Sequence, residues 1–328
     1  MLLGKSVKRI FLTGGAGFIG SHVVDFLVPQ GYEVTVYDNL SNGKVEYIEQ
    51  HFEKHNFKFI QADLLEKDKL DESIKYHDLI WHLAANTDII NSSKYPHRDI
   101  DDGIISTFNL LEAMRKNNLK KMIFSSTGAV YGNLCYDNES SEETGPLLPV
   151  STYAAGKISC EAFISSYCEL FGFNAWIYRF GNVLGARMTH GVIFDFIHRL
   201  KENPDELLIR GDGTQEKNYF LVEECILGMA FGFNNIRMSD DKTCDIYNLG
   251  TNSITKVIDI AQIIIYEMGL KDTKINIEGT SKAWPGDQPK VHISVDRMKK
   301  AGWVTKLRSD EAVRIGVRRM LGKEKIEI

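Results

Sequence analysis

The sequence predicts a doubly wound α/β fold, a parallel β-sheet with helices on both faces, followed by a smaller and discontinuous lobe. Three observations predict it. Short, almost continuously apolar runs alternate with amphipathic segments from residue 7 to about 180. The first run leads directly into a glycine triplet that opens a helix, and the second ends on an acid, Asp38. Runs that are apolar throughout, instead of alternating with polar residues, suit strands buried on both faces. The helices between them supply the covering layers.

The strand candidates, in order, are RIFLTG (9–14), EVTVYD (33–38), FKFIQAD (57–63), DLIWHLAA (78–85), KKMIFSS (120–126) and NAWIYRF (174–180). Helical patterns lie between them, among them Ser21 to Gln30 and Ser106 to Asn117. Connections of this kind are right-handed. After residue 180 the texture changes to glycine turns, a helix near 191–202 and a short strand. CDIYNLG (244–250) reads as one more buried strand, so the chain is expected to return to the first sheet. A helix from Lys256 to Met268, an apolar segment from Lys274 to Ile277 and two short helices complete the tail.

Composition narrows the function classes. With 328 residues, 43% hydrophobic and 25% charged, the chain has an ordinary globular composition and length enough for an enzyme core. A net charge of -5 offers no general basic surface, so no nucleic-acid partner is expected. The five cysteines (Cys135, Cys160, Cys168, Cys225, Cys244) form no CxxC pair and are odd in number. Reduced thiols in a cytoplasmic protein are the simpler reading, with neither a disulfide framework nor a metal site. The start, MLLGKSVKRIFLTGG, is not a signal peptide, and no run approaches the roughly 18 apolar residues of a membrane span.

FLTGGAGFIGSHVVDFL places Gly14, Gly17 and Gly20 between strand and helix. Glycines there permit a tight turn, close backbone approach to a pyrophosphate and tight helix packing, with the phosphate charge at the helix N-terminus beside Phe18 and Ile19. Alone, such a triplet is also a plain structural turn. Asp38, at the end of the second strand, is placed to accept from a ribose 2'-hydroxyl, and its charge would repel a 2'-phosphate. NAD is therefore the expected cofactor, although Asp38 also suits a cap or turn before Asn39 and the rest of NLSNG. Asp63 and Leu64 end the third strand at the adenine edge, and Leu83, Ala84 and Ala85 end the fourth beside the pyrophosphate. The domain expectation is an NAD-binding domain over 1–180 with chain return at about 216–262. The substrate lobe would then comprise 181–215 and 263–328.

FSSTGAVYG (124–132) puts Ser125, Ser126 and Thr127 where a strand stops, and STYAAGK puts Tyr153 and Lys157 at i and i+4 on one helix face. A free tyrosine titrates near pH 10, about three units too high for a base at neutral pH. One ammonium at roughly 4 Å, at an effective dielectric near 20, favours the phenolate by about 4 kcal/mol. Lys157 is thus expected to supply most of the shift that makes Tyr153 a general base. By itself Tyr-x-x-x-Lys is common on solvated helix faces; here it follows a NAD-type loop and a strand ending in hydroxyls.

With these motifs in order, the chain resembles an extended short-chain dehydrogenase/reductase of the NAD-dependent sugar-nucleotide epimerase/dehydratase family, with a Rossmann fold. The resemblance runs through TGGAGFIGSH, YDNLSNG, HLAA, TFNLLEAM, SSTGAVYG, YAAGK, RFGNVLG and the late PGD, nearly the whole chain. It implies that Thr127 hydrogen-bonds a sugar hydroxyl, Tyr153 removes its proton and Lys157 holds the nicotinamide ribose, with Ser125 also against the cofactor. It implies a hydride passed from C4 to NAD and a 4-keto intermediate. Relatives that dehydrate or decarboxylate carry an acid just after the catalytic Ser/Thr, where this chain has Gly128 and Ala129. C4 epimerisation of a nucleotide sugar is the leading expectation, with a 4-dehydrogenase or 4-ketoreductase as the alternative and a non-catalytic NAD-sensing module as a remote one.

The same resemblance assigns the diphosphate to Asn182 and to the segment holding Lys217 and Asn218, where Arg-Asp is common in the family. Trp284 stands where another arginine is frequent. Lysine lacks arginine's bidentate fork, so Arg187, His190, Lys201 and Arg210 are further candidates for the charge. Each of the four also suits a solvated surface. Gly103 replaces a common asparagine and Gly156 a common serine; close packing or cofactor approach is the expectation for Gly156. Helices around 104–117 and 153–171 resemble the pair through which the family dimerises, with Ile158, Ala162, Phe163 and Phe171 as apolar material that core packing explains equally well.

Overall fold

In the computed structural model the described residues are 3–4, 6–87, 89, 91–135, 139–239, 243–280, 282 and 286–324, the side chains of 91 and 135 excepted. Trp284 and the Cys135 thiol lie outside them. The chain divides into two compact units: Met1–Val130, Ser151–Arg179 and Ile226–Tyr247 form the first, and Tyr131–Val150, Phe180–Cys225 and Asn248–Ile328 the second.

The first unit is built on a seven-stranded sheet. Its strands are β1 (Arg9–Thr13), β2 (Glu33–Asp38), β3 (Phe57–Gln61), β4 (Leu79–His82), β5 (Lys121–Thr127), β6 (Asn174–Phe180) and Cys244–Leu249. From edge to edge the order is Cys244–Leu249, β6, β5, β4, β1, β2, β3. Neighbours β1–β2, β2–β3, β1–β4 and β4–β5 pair in parallel, Leu12 opposite both Val36 and Trp81. Because the chain first builds outward through β2 and β3 and then restarts on the other side with β4, the order reverses between β1 and β4. Sheets with such a reversal bind ligands at the C-terminal ends of the two strands that flank it.

The central strands are buried on both faces, as their composition requires: Phe11, Ile80, Met122, Phe124 and Ile177 belong to one apolar core. Each such side chain removed from water contributes roughly 1.5–3 kcal/mol. Covering helices α1 (Phe18–Leu27), α2 (Lys67–Ser73), α3 (His97–Asp99), α4 (Ser106–Lys116) and α5 (Thr152–Phe171) connect the strands, and a π-helical turn, Ile100–Ile105, joins α3 to α4. α5 begins with Ser151, whose side chain accepts from the Ala154 N–H, and ends at Gly172 in the left-handed conformation. This is the usual asymmetry of a capped helix.

Two sequence expectations are adjusted. α1 starts at Phe18 instead of Ser21, since Gly20 weakens the helical pattern but is required by its packing on the Gly14 backbone. The π turn was not foreseen, because its carbonyl spacing leaves no periodic signature in six residues.

In the second unit Asn182–Leu184 runs parallel to Tyr219–Leu221, and Glu206–Arg210 to Lys274–Glu278. Glu216–Lys217 pairs with both Thr255–Lys256 and Lys290–Val291. Helices Val192–Glu202, Val257–Met268 and Ser309–Met320 close around a separate core that includes Phe196, Ile260 and Val313.

Candidate active site

At the end of β1 the backbone turns through Gly14, at φ 70°, a conformation that favours glycine. Its N–H donates to the Tyr37 carbonyl at 3.1 Å, which binds the loop to β2. A Cβ on Gly14 would lie 2.7 Å from the Ala84 nitrogen, and one on Gly20 would lie 2.1 Å from the Gly14 oxygen. The loop, the first turn of α1 and the end of β4 therefore touch through backbone atoms alone. Gly17, the extended N-cap of α1, brings no side chain to the first-turn N–H groups. Those groups, at Phe18 and Ile19, are available to an anion.

Asp38 is buried at the end of β2, and it holds this loop as well as offering acceptors. Its Oδ2 accepts from the Ala16 N–H at 2.9 Å and its Oδ1 from the Leu40 N–H at 2.8 Å. Burial raises its pKa and these two donors oppose the rise. The turn role and the acceptor role thus coexist in one side chain, since each carboxylate oxygen has a second lone pair. Asn39 donates to Asp63 Oδ2 at 2.7 Å, joining the ends of β2 and β3, and Leu64 is buried beside them. On the other side of β1, His82 lies between the Thr13 and Thr107 hydroxyls at 2.7 and 3.0 Å. Burial, with Lys157 nearby, pushes its pKa down to about 3, so the ring is neutral. It anchors the strand end from which Leu83, Ala84 and Ala85 emerge, a function that a lone histidine in HLAA does not announce.

The structure brings the hydroxyl strand end and α5 together. The Thr127 hydroxyl lies close to the Tyr153 phenol and favours its ionised form. Lys157 Nζ donates to the Ser125 carbonyl at 2.8 Å and lies 4.7 Å from the centre of the Phe124 ring. Its stem passes through a closely packed interior, and burial lowers its pKa to about 8. The expected electrostatics differ. Burial pushes Tyr153 up to about 12, with the Thr127 hydroxyl opposing and Asp99 reinforcing the rise. Lys157 is turned onto the β5 backbone, and desolvation dominates both groups, so the expectation that Lys157 supplies most of the shift of the phenol is corrected: burial sets its direction, upward.

Asp99, which the sequence reading missed, organises the start of α5. Its carboxylate accepts from Asn86 Nδ2 at 2.8 Å and from the Thr152 hydroxyl at 2.6 Å. A Cβ on Gly156 would sit 3.2 Å from the Asp99 carbonyl oxygen, so the glycine lets α5 close on this segment. Gly103 has no atom within 4 Å of such a Cβ, and packing does not demand glycine there.

The proposed substrate residues belong to the second unit. Asn182 is joined to the Lys217 segment: its N–H and Nδ2 both reach the Asn218 carbonyl, at 2.8 and 3.3 Å. Lys217 Nζ is 3.6 Å from buried Asp287. Asn218 donates to the Thr251 and Ser253 carbonyls and accepts from the Ile293 N–H, so asparagine in place of aspartate ties three segments together. Arg187 is half-buried at φ 67°, while His190, Lys201 and Arg210 are exposed. His190 Nδ1 shares a hydrogen bond with the neighbouring Thr189 hydroxyl at 3.2 Å.

The chain as a whole has counterparts among known proteins. A sequence profile described as "NAD dependent epimerase/dehydratase family" matches residues 10–250. The chain belongs to this family. It is 33% identical over 314 residues to the "Putative UDP-glucose 4-epimerase" of Methanocaldococcus jannaschii, covering 93% of this chain and 96% of that one. It is 28% identical to the mouse dTDP-D-glucose 4,6-dehydratase over 324 residues, 95% of this chain and 88% of the other. Among solved structures, a UDP-galactose 4-epimerase superposes with a TM-score of 0.84 at 34% identity, over 96% of this chain and 99% of that chain. The Thermus thermophilus UDP-glucose 4-epimerase, solved with NAD, gives 0.82 at 30% identity over 96% and 99%. The protein is thus a member of an NAD-dependent sugar-nucleotide enzyme family, and the glycine contacts at Gly14 and Gly20 fit a dinucleotide cradle. No helix among the described residues is long and apolar enough to cross a membrane.

Proposed function

We propose that the protein is a nucleotide-sugar 4-epimerase that works through a 4-keto intermediate, with Thr127, Tyr153 and Lys157 as its reacting set. The observation that carries this reading is the convergence at the end of β5: Thr127 beside Tyr153, Lys157 on Ser125, and then a tight turn of Gly128 and Ala129. The Ala129 N–H donates to Thr127 Oγ1 at 3.2 Å, so the threonine oxygen accepts from the backbone and keeps its own proton as a donor for a sugar oxygen. Tyr153 accepts the proton of the C4 hydroxyl, and Lys157 orients the cofactor ribose with its ammonium. Oxidised NAD, when bound, supplies the hydride acceptor and a positive ring charge. No ionisable side chain directly follows Thr127, so proton transfer at the carbons beside C4, which elimination needs, has no agent at that place.

Asp38 supports NAD over a 2'-phosphorylated cofactor by charge. Asn182 and Lys217, adjacent through the Asn218 carbonyl, are the residues we assign to the diphosphate, with Arg187 and His190 as further contacts. We also propose a homodimer through α4 and α5. Phe108 and Phe163 pack edge to face with ring centroids 5.9 Å apart, yet each is more than a third exposed, and Ala162 and Phe171 are exposed beside them. This exposed apolar material supports a second copy as its cover.

The test is turnover without added cofactor. Purified protein is incubated with UDP-glucose or UDP-galactose, and with the GDP-, CDP- and dTDP-sugars, and the products are followed by NMR. Appearance of the C4 epimer without net NADH supports the epimerase. Stoichiometric NADH that needs an external oxidant would replace it with the 4-dehydrogenase, and a 4-keto-6-deoxy product with the dehydratase.

A further inference from the structure

Three consecutive residues at the end of β5 face three successive turns of α5. Thr127 lies beside Tyr153 and the Ser125 carbonyl takes Lys157 Nζ, while Ser126 Oγ, between them, donates to Glu161 Oε1 at 2.5 Å. Glu161 is not itself hydrogen-bonded to either of the proposed reacting side chains. Its carboxylate is instead gripped by Arg179 of β6, with Nε at 3.0 Å from Oε1 and Nη2 at 2.6 Å from Oε2. Ser126, Glu161 and Arg179 are 3%, 5% and 3% exposed, so the whole unit is out of water.

A buried ion pair is a poor source of stability, because apolar residues of the same volume commonly do as well or better. Its geometry is another matter. A two-pronged guanidinium fork with a hydroxyl on the same carboxylate admits one orientation, whereas apolar packing alone tolerates small rotations and slides. Glu161 lies one turn beyond Lys157 and two beyond Tyr153 on the same side of α5. Whatever fixes Glu161 fixes them.

We propose that Glu161 is a positioning residue: held by Ser126 and Arg179, it sets the rotation and height of α5 against β5 and β6, and through them the placement of Tyr153 and Lys157. The inference rests on the reading of those two as the reacting pair. Glu161 also acts by charge. The groups that face Lys157 are Cys160 and Glu161 from α5, neutral His82 from β4, and the Phe124 ring and Ser125 carbonyl of β5. Burial raises the Cys160 thiol and keeps it protonated, so the Glu161 carboxylate is the full negative charge in that set, supporting the ammonium.

The experiment uses the NAD-containing protein and compares the parent with Glu161→Gln, Ser126→Ala and Tyr153→Phe. Glutamine keeps the length of the side chain and an acceptor for Ser126 but removes the charge. UDP-galactose turnover is measured together with NAD affinity, read as quenching of tryptophan fluorescence, from acid to alkaline pH. Glu161→Gln is expected to lower kcat about 10- to 100-fold, the cost of a small misplacement, while KM moves less than about threefold. The pH at which NAD affinity declines on the alkaline side should fall by about half a unit, since the lysine loses its supporting charge. Ser126→Ala, which spares the ion pair, should lower kcat severalfold with unchanged thermal unfolding. The proposal is overturned if folded Glu161→Gln keeps kcat within about twofold of the parent and the same NAD pH profile. Should Glu161→Gln fail to fold, parental kcat in Ser126→Ala overturns it alone. Parental turnover in Tyr153→Phe would instead sink the reaction reading, and the NAD titration then decides the role of Glu161.

Discussion

Tyr153 sits in an environment that works against the charge its proposed role requires. Burial holds the phenol at about 12 and Lys157 at about 8, so at neutral pH the protein by itself keeps a phenol and an ammonium side by side on one helix face. Removing the phenolic oxygen in Tyr153→Phe is expected to lower turnover by about 10²- to 10⁴-fold, the usual worth of a general base, with bound NAD retained. Lys157 has a pH signature of its own. Its folded pKa is lowered from 10.5, so the ammonium is lost as pH rises through about 8, and kcat is expected to fall over that interval. The unfolded chain holds this proton up to about 10.5. Between the two values unfolded protein binds more protons than folded, so Lys157 contributes a gain in stability as pH rises from 8 towards 10.5. A melting-temperature series for Lys157→Met should lack that gain. The residue pair was legible from i, i+4 spacing; its desolvation was not, because burial depends on β4, β5 and α5 meeting around it.

Elements carry the site by their ends, and glycine decides how closely the ends approach. Gly20→Ala would drive a methyl group into the Gly14 carbonyl, which lies 2.1 Å from the ideal Cβ position. Loss of retained NAD, together with a lower melting temperature, is the expected outcome, measured by absorbance of the released nucleotide after acid treatment. Gly156 and Gly103 make a sharper pair. Alanine ordinarily gains about 1 kcal/mol over glycine inside a helix. At Gly156 the Cβ meets the Asp99 carbonyl at 3.2 Å, and Asp99 is held by Asn86 and Thr152, so it cannot retreat. Gly156→Ala should therefore melt below the parent and Gly103→Ala at or above it. The succession of strands and helices along the chain was readable because apolar runs and amphipathic segments have different periods. Asp99 and the π turn were not, since their significance lies in what α5 brings against them, and nothing local in HRDIDDGII marks that contact.

For the whole molecule, the glycine triplet, Asp38, the strand-end hydroxyls and the Tyr153-Lys157 pair, in order with the other motifs, placed the chain in its family, while the proposed diphosphate residues were named only by resemblance. The reason is physical: a cofactor shared by many proteins imposes a fixed cradle, whereas a residue proposed for the diphosphate such as Lys217 has its ion-pair partner, Asp287, in a distant segment. At this scale the dimer proposal makes a prediction as well. Phe163→Glu should turn a dimer into a folded monomer by sedimentation, leaving the circular dichroism spectrum unchanged, because Phe163 is 39% exposed in the single chain.

The polypeptide passes from one unit to the other at 130/131, 150/151, 179/180, 225/226 and 247/248. During synthesis this interleaving sets a timetable. When β6 leaves the ribosome, its outer neighbour, Cys244–Leu249, is still more than sixty residues from being made, and the buried strand NAWIYRF waits with an open edge. Such an edge is a template for pairing with other chains. A chain stopped just before Cys244 should accordingly collect in the insoluble fraction, so the seventh strand serves the nascent protein as a seal before the finished one has any substrate to turn over.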